Sequence, residues 1–142
     1  MTSTSGPALT AFLYLALLPR AADAHHSFAM FDMSKTVTIT GTVKDFQWSN
    51  PHSWLYVVGG EAGKPPELWN LEGLSPSMLQ RKGWKSTDLK IGDKVTVIVI
   101  PLRDGTHGGA FSLVTLPDGR SLESYASTAT AALAEKAQQD GK

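Results

Sequence analysis

Between Lys35 and Trp48 the apolar residues change face. Val37, Ile39, Gly41 and Val43 share one parity, while Phe46 and Trp48 share the other. Side chains alternate strictly along a strand, so a one-residue slip beside a mid-strand glycine calls for a β-bulge or a sharp bend. A strand bent in this way can serve two sheets, which few small folds require. The 13 Gly and 8 Pro scattered through the chain also punctuate it too often for a helical bundle and indicate a turn-rich β protein.

The remaining elements follow from the same alternation. Asn50-Pro51 makes a turn, and Ser53 to Val58 is apolar on both parities, as a central strand is. Gly59-Gly60 and Gly63-Lys64-Pro65-Pro66 form a loop before Glu67 to Glu72 returns with Leu68 and the Trp69/Leu71 alternation. A short helix is expected next: Ser75 can cap it, Pro76 suits its first position, Met78 and Leu79 offer an apolar face, and Gly83 can end it. Lys94 to Leu102 is the most β-branched run. After the connector Arg103 to Gly109, Ala110 to Leu116 reads as the last strand, closed by the turn Pro117-Asp118-Gly119. Strand, strand, strand, short helix, strand, strand, with a bulged first strand, is the order of a five-stranded OB-like barrel, mainly β, with a small β-sandwich as the competing architecture. Residues 121–142 are rich in Ala, Ser and Thr without an apolar stripe; the expectation for 123–142 is a helical or disordered tail.

Residues 8–18, ALTAFLYLALL, are uncharged and apolar but too short for a bilayer span of about 20 residues. Pro19 ends the run, and Ala22-Asp23-Ala24 places small residues where a signal peptidase needs them. Residues 1–24 are therefore expected to be a signal peptide, with a barrel domain over 25–122 in the periplasm or outside the cell and no stable membrane span after cleavage. Lys and Arg total 13, as do Asp and Glu, and removal of Arg20 with Asp23 keeps the remainder neutral. A neutral surface gives no field to attract nucleic acid. The absence of cysteine excludes disulfides, thiolate metal sites and thiol catalysis.

Cleavage after Ala24 would make His25 and His26 the first two residues. An N-terminal histidine offers its amine and its own Nδ1 as one chelate, and a second imidazole completes a three-nitrogen site suited to Cu(II). The amine loses its proton near pH 8, so a metal displaces it easily. Met30 and Met33 add thioethers that favour Cu(I), although Phe28, Met30 and Phe31 also read as apolar plugs against the barrel. His52 projects from the rigid turn Trp48-Ser49-Asn50-Pro51-His52 and could be the third ligand, or could simply bond the adjacent strand end. His107, in Gly105-Thr106-His107-Gly108-Gly109, lies on a solvent-facing loop that would join the site only if the barrel brings it near. The metal candidates are thus His25, His26, His52 and His107, and copper is the expected ion.

Of the four tryptophans, Trp48, Trp54, Trp69 and Trp84, at least two are expected in the core. Asp32, Asp45, Glu67 and Glu72 are scattered and show no pairing by spacing. Motifs for serine hydrolases, zincins and phosphate loops are missing, and no catalytic residue is assigned. The reading from a different class is a non-catalytic envelope module that binds a protein or a small apolar ligand.

His25-His26-Ser27-Phe28, Gly41-Thr42-Val43, Trp48-x-Asn50-Pro51-His52, Trp69-x-Leu71-Glu72, Ser75-Pro76, Leu79-x-Arg81-x-Gly83-Trp84, Gly92-Asp93-x-Val95, Pro101-x-Arg103-Asp104-Gly105 and Asp118-Gly119-Arg120 together resemble a family of small exported bacterial proteins of unknown function, DUF6152. The likeness runs from about His25 to Leu122. It implies a secreted or periplasmic β-barrel, assigns no catalytic residue, and draws attention to the Pro-x-Arg-Asp-Gly loop as well as the histidine segments.

Overall fold

The computed structural model describes residues 28–140. After a single 3₁₀ turn at Phe28–Met30 come β1 (Val37–Gln47), β2 (Trp54–Gly60), β3 (Glu67–Glu72), α1 (Pro76–Arg81), β4 (Lys94–Pro101), β5 (Gly108–Thr115), β6 (Ser121–Glu123) and α2 (Thr128–Asp140). The strands run β3-β2-β1-β4-β5-β6, and a parallel β3–β5 pairing closes the first five into a barrel. This is the mainly-β OB-like architecture expected, with one short helix between the third and fourth strands.

The slip in β1 is a bulge between Val43 and Asp45. Before it, Val37 to Thr42 pair with β4; Thr40 to Gln47 pair with β2, so the two halves of one strand hold two neighbours. Gly41 and Gly59 lie opposite each other in β1 and β2, and a Cβ on Gly59 would stand 2.2 Å from the Thr40 carbonyl oxygen. Only hydrogen fits there.

Ile39, Val43, Leu55, Val57, Trp69, Leu71, Val95, Val97, Val99, Phe111 and Val114 fill the barrel, and Leu79 of α1 with Trp84 plugs one end. Trp69 and Trp84 are the two buried tryptophans, while Trp48 packs partly buried against the same core. The helix starts at Pro76 as expected, but the Ser75 hydroxyl bonds Ser77 and makes no cap; the Ser75 carbonyl accepts from Met78 and Leu79 instead. Met78 is exposed, so Leu79 alone makes the apolar face, because six residues offer barely two turns to the core. Gly83 ends the helix at φ +91°.

Ala110 to Leu116 is not the last strand. After the turn closed by Gly119, β6 pairs with β5 (Leu113 with Glu123, Thr115 with Ser121) outside the barrel closure. Three residues are too few to show alternation. The Trp84 indole donates to the Glu123 carbonyl at 2.8 Å, and the Ser112 hydroxyl donates to the Tyr125 carbonyl at 2.7 Å, so the segment after β6 is pinned to the barrel before α2 begins. Among the described residues no helix is long and apolar enough to cross a membrane.

The N-terminal segment packs on the outside of the barrel. Phe31 bridges Leu102 and is buried with Ile100 and Ala110 in a small second cluster. Of the three apolar plugs expected here, only Phe31 is buried; Phe28 and Met30 are exposed.

Candidate functional site

The turn carrying His52 is fastened to the end of β3. Buried Ser53 donates its backbone N–H and its hydroxyl to the Leu74 carbonyl at 3.2 and 2.8 Å, and its own carbonyl accepts the Gly73 N–H at 2.9 Å. The Ser49 hydroxyl donates to the His52 carbonyl. This anchoring holds the imidazole Nδ1 2.8 Å from Glu72 Oε1 and 3.2 Å from the Gly73 carbonyl oxygen. A carboxylate and a carbonyl only accept, so Nδ1 carries the hydrogen and, in the neutral ring, Nε2 carries the lone pair. A carboxylate or carbonyl behind one ring nitrogen is how proteins set the tautomer of an imidazole whose other nitrogen binds a metal.

Tyr125 completes the cluster. Its hydroxyl lies 3.3 Å from His52 Nδ1 and donates to the Gly73 carbonyl at 3.4 Å. Burial first, then the negative charge of Glu72 and a hydrogen bond with it, push the Tyr125 phenol up to about 12. The phenol therefore stays protonated beside the carboxylate at all physiological pH values.

Glu72 also stands at one end of a groove of about 360 Å³ on the outside of the barrel, which Met30, Trp54, Leu68, Asn70 and His107 help to line. His107 sits in the loop between β4 and β5, exposed, with its carbonyl accepting the Asn70 N–H at 3.2 Å and its ring tilted against Trp69 at 5.2 Å. The groove thus brings Met30, Glu72 and His107 along one surface, with His52 bonded to Glu72 at its end. Met33 is exposed in the turn that follows. His25 and His26 lie outside the described residues. The chain enters the described part at Phe28, whose ring packs edge-on against Tyr125 at 5.8 Å. Among the described residues no three His, Cys, Asp or Glu side chains are grouped closely enough to hold a metal ion by themselves.

Two residues of this cluster were not singled out by sequence reasoning. Glu72 is one carboxylate among several until His52, twenty positions earlier, is folded against it. Tyr125 lies in a segment with no apolar pattern, and only the β5–β6 hairpin returns it to the β1–β2 turn. The one available signal for Glu72 was its place in the Trp69-x-Leu71-Glu72 motif.

The sequence model of DUF6152, described as a family of unknown function, matches residues 14–111, from the N-terminal apolar run to Phe111 in β5. No curated protein and no solved structure matches the chain.

Proposed function

The chain belongs to the DUF6152 family, which has no assigned function, and from that premise we propose that it is an exported cell-envelope protein that holds a copper ion, for storage or transfer rather than catalysis. The ligands in this reading are the amine and imidazole of His25 together with His52, with His26 or His107 nearby. One observation supports it: Glu72 and the Gly73 carbonyl stand behind His52 Nδ1, the arrangement by which proteins set the tautomer of an imidazole that binds metal through its other nitrogen, and the cluster stands where Phe28 packs on Tyr125. His25 is three residues before Phe28, within about 10 Å of extended chain. Met30, on the same groove, supplies a soft donor suited to Cu(I).

The test uses the chain processed to begin at His25, beside a version with one extra residue in front of it. The expected result is a large loss of Cu(II) affinity and a changed EPR spectrum in the extended version, and a loss of similar kind in His52→Ala. If the extra residue changes neither affinity nor spectrum, the terminal site is wrong. Mass spectrometry of the protein recovered from the envelope checks the start at His25 directly.

A second reading, a non-catalytic interaction module, is favoured by Val58 and Leu68, paired in register on the outside of β2 and β3 and 43% and 40% exposed. Val58→Lys with unchanged copper binding and loss of an envelope partner in cross-linking would support that reading over the first.

A further inference from the structure

The barrel end opposite α1 opens into a second cavity of about 330 Å³, walled by the starts of β1 and β3, the ends of β2 and β4, and the loop between β4 and β5. It has room for about ten water molecules at their liquid volume. Trp69 lies in its wall. That side chain is 6% exposed, and its indole Nε1–H has no acceptor among the described residues. A buried N–H without a partner forfeits its hydration for nothing, and native proteins rarely leave one so.

The charges around this cavity sort themselves in a telling way. Lys35 pairs with Asp32 at 2.9 Å, and Lys64 pairs with Glu61. Asp104 turns to the Thr106 N–H at 2.9 Å and hydroxyl at 2.7 Å. Arg103, from the Pro101-x-Arg103-Asp104-Gly105 motif, gives its Nε to the Ala29 carbonyl at 3.0 Å and forms no ion pair among the described residues. Glu67 likewise forms none, and it shares with Trp69 the inward parity of β3. One guanidinium and one carboxylate without an ion pair among the described residues therefore line a pocket whose other surfaces include Val37, Pro65, Pro101 and Leu102.

We propose that this mouth binds a small organic monocarboxylate: its oxygens take the Trp69 Nε1–H and the Arg103 Nη groups that the Nε–Ala29 bond leaves over, and its apolar body lies on Val37, Pro65 and Leu102. Arg presents a planar fork matched to a carboxylate. Glu67 repels a second negative charge, which selects monoanions over dianions. The His107 ring packs tilted against the indole at 5.2 Å, so admission of the acceptor in this proposal requires that side chain to move off the indole. The site stands on residues other than the copper ligands His25 and His52 and shares only His107 with that reading; Trp69, Arg103 and Glu67 belong to this proposal alone, so the two are tested separately.

The experiment titrates the nitrogen-15-labelled protein with benzoate, in parallel with its neutral counterpart benzamide and the dianion phthalate, and follows the four indole Nε1–H resonances. Trp69→Phe assigns the resonance of interest. Benzoate is expected to move the Trp69 resonance to saturation, and benzamide to bind at least about tenfold more weakly, as loss of a charge-assisted hydrogen bond implies. Arg103→Gln should weaken benzoate by a similar factor, Arg103→Lys by less, and Glu67→Gln should bring phthalate up towards benzoate. The proposal is overturned if benzoate leaves the Trp69 indole unmoved, if benzamide matches it, or if Arg103→Gln binds benzoate as the parent does. Arg103 and Glu67 are both exposed, so these variants test the site without emptying the core.

Discussion

Gly73 follows Glu72 and accepts the hydrogen bonds of His52 and Tyr125, so a change there reports on the join between core and site. A Cβ on Gly73 would lie 2.2 Å from Cζ and 2.3 Å from Cε1 of Phe111, and 2.4 Å from Ser53 Oγ. Ordinary contact begins at 3.4 Å, so the shortfall is about 1.2 Å against a ring with no exposed surface. Neither neighbour can yield cheaply: Phe111 packs on Trp84 at 5.7 Å, and Ser53 pins the β1–β2 turn. Gly73→Ala should therefore destabilise by about 2–3 kcal/mol, the upper range for overpacking. Phe111→Leu alone should cost about 1–2 kcal/mol through lost burial and a residual void. Together they should fall short of additivity by about 1 kcal/mol or more, because the smaller side chain vacates the space that the new methyl needs. Urea unfolding followed by tryptophan fluorescence, with the slope unchanged across the four proteins, measures the cycle. Additivity within about 0.5 kcal/mol would refute the steric account.

Trp84→Phe keeps the ring in the core but deletes the donor to Glu123; a loss of about 1–2 kcal/mol is expected, with faster amide exchange in β6 than in β1. Glu72→Gln removes the negative charge beside Tyr125, so the phenol should titrate below about 12 while burial keeps it above 10; tyrosinate absorbance, with Tyr125→Phe as reference, reads this. The sign is that of a raised pKa: the fold holds this proton more tightly, so the contribution is present below pH 10 and is lost as pH rises through about 12. Asp32 is the opposite case, since the Ser34 hydroxyl first and then Lys35 lower its carboxyl to about 2. Its contribution is present above pH 3.8 and lost as pH falls towards 2, and Ser34→Ala should raise the value in a carbon-13 NMR titration.

The barrel was legible because its cues are local. The parity slip of Val43 and Phe46, the Pro76 start and Gly83 stop of α1, and the β-branched run after Lys94 each act within a few residues, where backbone sterics and side-chain alternation are decided. The β6 strand leaves no mark in the sequence because three residues show no period, and Ser75 takes the cap position without using its hydroxyl.

His52 was visible as a histidine on a rigid turn, and the acceptors behind it were not. Glu72 and Tyr125 stand 20 and 73 positions away along the chain, and no spacing rule relates them. Trp69 and Arg103 differ in the same way: composition shows an indole and a guanidinium, but whether either has a partner is a question of which side chains the closed barrel leaves within reach. By itself, then, the sequence determined the order of the five barrel strands, the short helix between the third and fourth, and the bulge in the first, since alternation and turn chemistry act locally. Only closure of β3 on β5 and the return of the chain after β6 decided which polar groups are satisfied by one another, because hydrogen bonds are set by distances of about 3 Å that pattern along a chain does not encode.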